Sequence, residues 1–382
     1  MANKVNRLVA ETFLDIAKGL ETGSFGKRPK IAVTGIGSEH GEENVMAGAV
    51  MAANQGVDVY YIGTLENEKV NTVYVDDEAM VHKTMEKLLD EGTVDGAVTM
   101  HYPFPIGVST VGRVVTPGKG KPMYIANTTG TSSTDRIEGM VRNAIYGIIA
   151  AKACGIKEPT LGIANVDGAR QCEIALKKLV ENGYPINFAE SARADGGCVM
   201  RGNDILGASA DIMVTDSLTG NLFVKLISAF TTGGSYEASG WGYGPGIGEN
   251  WDRLVMIVSR ASGAPVIGGA LCYAAELVKG DWKKIVKEEM DKANKAGLKT
   301  VAKPQKKEAA PAVEVVAPPK EVVTGAIAGV EVMDLDDAVN ALWAEKIYAE
   351  SGMGCTGPVI LVSDANLAKA SEILKKAGFI GD

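Results

Sequence analysis

Five hydroxyl side chains are concentrated in residues 128–133, between an apolar run that predicts a strand and a periodic run that predicts a helix. The free amide N–H groups at a helix start attract anions, and Arg136 follows within the first helical turn. A single N-capping side chain would explain one of these hydroxyls but not all five. We therefore expect a phosphate or carboxylate site that includes Thr131, Ser132, Ser133 and Arg136.

Polar side chains also follow the apolar run at residues 211–215. Asp216 comes directly after this predicted strand, and Asn221 and Lys225 lie farther along the helix that follows. Ligands of parallel sheets bind beyond the carboxyl ends of the strands, so these side chains are expected at a ligand crevice. There Lys225 would neutralise an anion, while Asp216 would either orient a partner or cap the helix.

A third polar pair, Ser259 and Arg260, ends the apolar run at residues 254–258. A guanidinium in this position can hold a phosphate through two parallel hydrogen bonds, which indicates the same chemistry. The loop after the first predicted strand contributes Ser38 and His40. This loop is either a tight turn between strand and helix or a polar ligand loop that faces the crevice.

The glycines of this loop do not have the spacing of a nucleotide-binding site. The run G-I-G-S-E-H-G at residues 35–41 departs from G-x-G-x-x-G, and the sequence contains no G-x-x-x-x-G-K-[ST] motif. Dinucleotide binding is therefore disfavoured. The sequence indicates no resident cofactor and no metal ion.

Among the cysteines, Cys355 has the context of a reactive thiol. The other four lie in helix-like or mixed apolar segments, where buried and unreactive thiols are usual, although Cys198 follows two glycines. Cys355 has glycine on one side and Thr-Gly-Pro on the other, which predicts an exposed turn. No Lys, Arg or His adjoins it, and the predicted helix before it would present a C-terminus, which disfavours a thiolate. Its activation would have to come from the rest of the chain or from a partner subunit.

Alternating apolar and amphipathic runs would position these residues. The predicted strands span residues 30–36, 57–62, 95–100, 123–126, 161–164, 211–215 and 254–258. The predicted helices span residues 42–54, 77–91, 134–153, 169–182 and 218–230, and several end near a glycine. This alternation predicts an α/β fold with a mainly parallel sheet.

One segment interrupts the pattern and predicts a linker between two domains. Residues 302–321 contain 5 Ala, 4 Pro and 4 Lys, with no aromatic residue and no periodicity, so they cannot form a packed core. A surface loop held by its neighbours is the alternative. The expected domains are residues 1–301 and a small α/β domain at 322–382. In the latter we expect a helix from Asp334 to about residue 350, a glycine-rich turn at 352–358, a strand and a last helix.

The composition excludes several classes of function. The 382 residues include 39 Lys and Arg against 47 Asp and Glu, a formal net charge of −8, so neither nucleic acid nor an anionic membrane is an expected partner. The five cysteines form no C-x-x-C pair, which argues against a disulfide scaffold or a zinc site. Without a signal-like or membrane-spanning run, a cytoplasmic location is expected.

Two motifs carry a resemblance to known families. The runs ADIMVTDSLTGNLFVKL and GYGPGIGENWDRLVMIVSRAS resemble the phosphate acetyltransferases and the PlsX-type acyl-phosphate synthases. Asp216, Gly220, Asn221 and Lys225 match their D-x-x-x-G-N-x-x-x-K stretch, and residues 259–260 match their Ser-Arg pair at the phosphate and thioester site. The resemblance implies their isocitrate-dehydrogenase-like sheet and acyl transfer between a thioester and phosphate. An Asp that follows the Ser-Arg pair in the acetyltransferases has no counterpart in residues 261–265.

The whole chain, including the ending SGMGCTGPVILVSDANLAKASEILKKAGF, resembles the alpha subunits of component C of glycine/sarcosine/betaine reductase. In that family a cysteine thioester of an acetyl group is cleaved by phosphate to acetyl phosphate, and Cys355 is the matching cysteine. The implied partners are a ketosynthase-like component C beta subunit and the selenoprotein component A, which donates a carboxymethyl group. Inorganic phosphate is then a substrate. The sequence leaves open whether the protein also forms an oligomer.

The favoured mechanism joins the resemblance to the residues above. Arg260 and the amides of residues 131–133 would hold phosphate, and Ser259 with Asn221 would stabilise the tetrahedral oxyanion. His40, His101 and Asp216 are candidates for a general base. The alternatives are a free-standing acyltransferase that uses a diffusible thioester such as coenzyme A, a non-catalytic scaffold and, more distantly, a nicotinamide dehydrogenase.

Overall fold

The computed structural model describes residues 9–10, 12–14, 16–17, 19–20, 28–193, 196–301, 315–330, 334–354 and 357–380, and strands alternate with helices along most of them. The first twelve strands are β1 Lys30–Thr34, β2 Asp58–Gly63, β3 Asn71–Tyr74, β4 Gly96–Thr99, β5 Val108–Val115, β6 Pro122–Thr131, β7 Thr160–Ala164, β8 Asn187–Phe188, β9 Val199–Met200, β10 Ile212–Val214, β11 Gly244–Ile247 and β12 Val255–Ile257. The helices among and after them are α1 Gly41–Asn54, α2 Glu78–Asp90, α3 Arg136–Ala153, α4 Ala169–Glu181, α5 Gly202–Gly207, α6 Ser217–Ala229, α7 Ala264–Lys279, α8 Trp282–Lys295 and the short α9 Leu298–Val301.

These twelve strands form one sheet in the order β3-β2-β1-β4-β12-β11-β5-β6-β10-β7-β8, with β9 also paired to β7. Strand β1 pairs in parallel with β2 and β4, β4 with β12, and β10 with β6 and β7. The seven strands predicted from apolar runs are all present, so the prediction of a mainly parallel α/β sheet is confirmed.

Two strands that the sequence did not predict join the parallel halves of the sheet. Strand β11 is antiparallel to both β12 and β5, and β5 is antiparallel to β6. Residues 244–247 read Gly-Pro-Gly-Ile, a composition typical of a turn, but here neither glycine leaves room for a side chain because neighbouring groups lie very close. A Cβ at Gly244 would overlap the Val111 carbonyl oxygen on β5.

Helix α3 lies at the centre of the fold and is buried on nearly every side. Thirteen of its eighteen residues are buried, including Met140, Ile145 and Ile149. A helix that is apolar all round must be covered all round, and α3 contacts β6 and β10 on one side and α4 and α8 on the other. Because β6 leads directly into it, this helix fixes where residues 127–135 can lie.

The C-terminal segment forms a second, small sheet. Strands β13 Gly325–Ala328, β14 Ala349–Gly354 and β15 Gly357–Val362 are ordered β13-β15-β14, and both pairings are antiparallel. Helices α10 Leu335–Ala344 and α11 Leu367–Lys376 complete this unit. It has its own apolar core, which includes Ile327, Leu342, Ile360 and Leu374.

Part of the prediction for this segment is wrong. The helix that begins after Asp334 ends at Ala344, and residues 349–354 form a strand instead of the end of a helix and the start of a turn. Pairing with β15 outweighs the local pattern here, because β14 lies opposite an apolar strand with Ala349 buried against it. Cys355 lies outside the described residues, between the paired Gly354 and Gly357.

The structure describes only part of the predicted linker. Residues 302–314 lie outside the described part of the chain, and residues 315–321 form neither helix nor strand. The boundaries at 1–301 and 322–382 therefore stay a prediction. Within the described ranges, no helix combines the length and the hydrophobicity that a membrane crossing requires.

Candidate active site

Asp216 begins helix α6 as its N-cap. Its Oδ1 accepts hydrogen bonds from the backbone N–H groups of Leu218 at 3.1 Å and Thr219 at 3.0 Å. Its Oδ2 accepts the Thr219 hydroxyl at 2.7 Å and lies 3.4 Å from Arg136. Burial acts to raise the pKa of Asp216, but the hydrogen bonds from Thr219 and the charge of Arg136 hold it below its ordinary value. The carboxylate is therefore ionised and engaged in capping.

Gly220 and Asn221 set α6 directly against strand β6. A Cβ at Gly220 would overlap the Asn127 carbonyl oxygen, so no larger residue fits without moving the helix. Asn221 Nδ2 donates a hydrogen bond to the Thr128 carbonyl oxygen at 3.1 Å. The Gly-Asn pair of the motif thus fixes the distance and rotation of the helix, and Lys225 follows one turn later on the same face.

A cavity of about 650 Å³ opens beside this helix, at the carboxyl ends of β1, β4 and β12. The sequence predicts a ligand crevice at this edge of a parallel sheet. Its polar wall is formed by Asn221, Lys225, Ser259, Arg260 and Thr129. Its apolar wall is formed by Met100, Tyr102, Phe104, Ile257 and Val258.

Ser259 is held as a hydrogen-bond donor toward the cavity. Its Oγ accepts a hydrogen bond from Lys225 Nζ at 2.8 Å and another from the Ala261 N–H at 3.1 Å. A hydroxyl has two acceptor lone pairs and one proton, so both acceptor positions are filled. Within the described residues the Ser259 hydroxyl has no acceptor of its own, and its proton is available to a ligand oxygen.

Arg260 is available to an anion. Its backbone carbonyl accepts the Glu39 N–H at 2.9 Å, which ties the loop after β12 to the loop after β1. Its side chain is exposed on the cavity wall and forms no hydrogen bond or ion pair with the rest of the described chain. A guanidinium in this state can bind phosphate through two parallel hydrogen bonds.

The hydroxyl-rich stretch is divided by the structure, and most of it lies away from the cavity. Strand β6 continues through Thr131, and Asp135 is the N-cap of α3, accepting the Glu138 N–H at 2.8 Å. Ser132 is buried, with its Oγ 2.7 Å from Asn143 Oδ1, and Ser133 Oγ accepts the Asp135 N–H at 3.1 Å.

Arg136 and Thr131 lie outside the cavity lining as well. Arg136 is paired with Asp167 at 3.2 Å and with Asp216, and Thr131 is exposed at the end of β6. The expected anion site at the start of α3 is therefore not assembled. Ser132 Oγ instead lies 3.0 Å from the Gly139 carbonyl and Ser133 Oγ binds the N-cap residue, and Thr129 and Gly130 are the residues of this stretch that reach the cavity.

The loop after β1 contributes Glu39 to the cavity, while Ser38 and His40 turn elsewhere. Ser38 Oγ accepts the His40 N–H at 3.1 Å, and the exposed His40 ring packs edge-on against Tyr236 at 5.8 Å. Of the three candidate bases, His101 is the one that lines the cavity.

Four cysteines are described, and burial makes each of them a poor nucleophile. It raises the pKa of Cys272 to about 11 and the pKa values of Cys154 and Cys198 to about 12. Burial also raises the pKa of the fully enclosed Cys172. These thiols stay protonated at neutral pH. Across the described residues, no group of three or more His, Cys, Asp or Glu is arranged to hold a metal ion.

Sequence reasoning missed three residues that support the polar wall. Glu237 and Ser262 lie behind Lys225 and Ser259, and Tyr243 lines the cavity beside them. The Glu237 carboxylate accepts the Tyr243 and Ser262 hydroxyls. They belong to irregular segments or to the unpredicted strand β11 and its flanks, and no motif marks them. An acidic residue near a Gly-rich stretch is visible in the sequence, but nothing in the sequence shows that it is buried.

Comparison with known proteins places this site in context. A family model described as "Fatty acid synthesis protein" matches residues 29–361. The glycine/sarcosine/betaine reductase complex component C subunit alpha of Peptoclostridium acidaminophilum is 55% identical over 381 residues, which is 98% of this chain and 99% of that protein. The phosphate acyltransferase of Thermus thermophilus is 25% identical over 235 residues, 52% of this chain and 70% of that protein.

A solved structure is also similar. The branched-chain phosphotransacylase from Enterococcus faecalis V583 superposes with a TM-score of 0.46 at 17% identity, covering 65% of this chain and 99% of that one.

We expect Gly220→Ala to destabilise the protein by about 3 kcal/mol or more, because the added methyl group meets the backbone of β6 and cannot be relieved by a side-chain rotation. Urea denaturation followed by circular dichroism measures this change. Gly207→Ala is the matched control, since a Cβ at that position meets no atom within 4 Å. A Gly220→Ala variant as stable as the control would contradict the close contact between α6 and β6.

Proposed function

This chain belongs to the fatty acid synthesis protein family, as a full-length relative of component C alpha subunits, and we propose that it forms acetyl phosphate within a glycine, sarcosine or betaine reductase. In the proposed reaction an oxygen of inorganic phosphate attacks the carbonyl carbon of an acetyl thioester. A tetrahedral oxyanion forms, the C–S bond breaks, and acetyl phosphate and a thiol are released.

The observation that carries this proposal is the presence of two groups on one cavity wall: the Arg260 guanidinium, which has no partner among the described residues, and the Ser259 hydroxyl with both acceptor positions filled. The first suits phosphate, and the second suits an oxygen that gains negative charge in the transition state. Asn221 adds a second donor, because one of its N–H groups is used on Thr128 and the other meets no acceptor in the described part of the chain.

We assign the phosphate to the side of the cavity formed by Arg260 and the Thr129–Gly130 backbone. Lys225 donates a hydrogen bond to Ser259 and forms an ion pair with Glu237. It therefore contributes less to binding an anion than its charge alone suggests. When one cavity holds both phosphate and thioester, their reaction becomes effectively unimolecular. This effect accounts for a large part of the rate gain available to such an enzyme.

The thioester carrier in this proposal is Cys355, delivered to the cavity by the C-terminal segment. A flexible coil as long as residues 302–321 spans about 25 Å on average, and an extended one reaches about 60 Å. Tethering of this kind gives an effective concentration on the order of millimolar, so Cys355 would not need a high-affinity docking surface.

The relative's name, a subunit of a reductase complex, supports partner proteins in general, and the kinds of partner proposed here come from the family resemblance. A ketosynthase-like beta subunit and a selenoprotein that donates a carboxymethyl group would load the acetyl group onto Cys355. Inorganic phosphate is the substrate, and the reaction needs no resident cofactor.

We expect acetyl phosphate to run the reaction backward and to acetylate Cys355. Intact-mass spectrometry of the protein after incubation with acetyl phosphate should show a gain of about one acetyl group that hydroxylamine removes. Cys355→Ser should remain unmodified, whereas Cys272→Ser should behave as wild type because that thiol is half-buried and protonated. If an adduct forms equally in Cys355→Ser, Cys355 is not the carrier.

The same experiment separates the alternatives. If no adduct forms with or without the beta subunit, the scaffold function is favoured. If coenzyme A accepts the acetyl group from acetyl phosphate at a rate that Cys355→Ser leaves unchanged, the chain is a free-standing phosphate acyltransferase.

We expect Arg260→Lys to raise the acetyl phosphate concentration for half-maximal acetylation by about 10- to 100-fold, since a lysine cannot form the paired hydrogen bonds and charged hydrogen bonds contribute roughly 1.5–3 kcal/mol. Arg170→Lys is the control, because that arginine pairs with Glu173 at 2.8 Å and does not line the cavity. Titration of the acetylation rate gives both values. If the acetyl phosphate concentration for half-maximal acetylation is the same in the two variants, Arg260 does not bind the phosphate group.

A further inference from the structure

Glu237 lies directly behind the polar wall of the cavity, and its side chain is 1% exposed. Its backbone N–H donates to the Ala261 carbonyl at 3.0 Å, and its carbonyl accepts the Gly263 N–H at 2.8 Å. The residue is therefore tied to the loop that follows Ser259 and Arg260. It does not line the cavity and would not touch a substrate.

The Glu237 carboxylate accepts three hydrogen bonds. Oε1 accepts from Lys225 Nζ at 2.8 Å and from the Tyr243 hydroxyl at 2.9 Å, and Oε2 accepts from the Ser262 hydroxyl at 3.0 Å. Burial, together with the adjoining carboxylate, raises the pKa of Tyr243, so its hydroxyl remains a donor at any physiological pH. A buried carboxylate is costly unless it is paired and hydrogen-bonded in this way.

Two of the groups that hold Ser259 are themselves held by Glu237. Lys225 donates to Ser259 Oγ at 2.8 Å, and Ser262 Oγ accepts the Ser259 N–H at 3.0 Å. The first is fixed by Oε1 of Glu237 and the second by Oε2. One carboxylate therefore sets the position of the Ser259 backbone and the direction in which its hydroxyl proton points.

A carboxylate in this place is unexpected for a site whose ligand is an anion. Next to Lys225 it cancels one of the two positive charges at the polar wall and so weakens phosphate binding. A buried acid that opposes binding is explained if its use is to direct the lysine to the serine and away from phosphate, leaving the phosphate to Arg260.

We propose that Glu237 is a positioning residue for acyl transfer: it holds the Lys225 ammonium on Ser259, so that the Ser259 hydroxyl donates a hydrogen bond to the oxyanion. This inference rests on the proposed function. On this assignment the charge of Glu237 lowers the affinity for phosphate and raises the rate of the chemical step. A residue with only a structural role would not have both effects.

The test uses Glu237→Gln in the full chain, with two measurements. Calorimetric titration with inorganic phosphate should show binding about threefold to tenfold tighter than wild type, because the freed Lys225 ammonium turns to the anion. The maximal rate of acetylation by acetyl phosphate should fall by about 10- to 100-fold, since removal of one oxyanion donor costs about 100- to 1000-fold and Ser259 is misdirected rather than removed.

Glu289→Gln is the matched control. Glu289 is 3% exposed and accepts the Tyr184 hydroxyl at 3.0 Å, with Lys152 at 3.0 Å and Lys292 at 2.9 Å, all outside the cavity lining. It has the same kind of buried environment as Glu237. Its variant should lose stability while phosphate affinity and maximal rate stay at the wild-type values.

The outcomes separate this inference from the proposed function. If wild type neither binds phosphate nor becomes acetylated, the proposed function fails. If wild type does both, and Glu237→Gln equals it or loses affinity and rate in parallel, the positioning role is overturned.

If Glu237→Gln does not fold, Glu237→Asp is measured in its place. Its carboxylate is shorter by one methylene group and cannot keep the contacts with both Lys225 and Ser262. A rate below wild type at unchanged phosphate affinity supports the role, and a full wild-type rate overturns it.

Discussion

The close contact between helix α6 and strand β6 is the constraint on which the candidate site depends. Gly220 lies so near the Asn127 carbonyl that a side chain has no room, and the neighbouring Asn221 fastens the helix to the next carbonyl along the strand. This contact sets the rotation of α6, and the rotation brings Lys225 to within 2.8 Å of Ser259 in the loop after the distant strand β12. The hydrogen bond therefore joins the helix on β6 to the loop after β12, and both residues line the cavity.

The charges of the cavity wall are divided between two tasks. Lys225 is neutralised by a buried carboxylate and orients a hydroxyl, whereas Arg260 is exposed and has no partner within the described residues. Separation of this kind is useful for acyl transfer to phosphate, because the anionic nucleophile and the developing oxyanion would otherwise compete for the same cations. The Lys225 ammonium, paired with Glu237, orients the Ser259 hydroxyl, and the exposed Arg260 guanidinium provides the affinity for phosphate.

The sequence predicts the parallel framework of the fold because buried parallel strands are continuous apolar runs, and the seven strands found in this way are all present. It predicts Asn221, Lys225, Ser259 and Arg260 at one crevice because they follow strands of that framework. It does not predict β11, whose glycines are required by the Val111 carbonyl and the Phe104 ring beside them rather than by a local sequence pattern. Nor does it find Glu237, since the three partners of this buried acid come from three separate segments and only the tertiary structure brings them together.

The division of the cavity wall also bears on a cysteine with no basic neighbour in sequence. A thiol becomes a good leaving group, and in the reverse direction a good nucleophile, when positive charge and hydrogen-bond donors stabilise its thiolate. In the proposed reaction Arg260 and the Ser259 hydroxyl would supply both, but only while Cys355 occupies the cavity. A carrier cysteine of this design is unreactive elsewhere, which protects both the free thiol and its thioester during transfer between subunits. Activation would then coincide with docking, so the absence of a local base beside Cys355 becomes a condition of the mechanism rather than an objection to it.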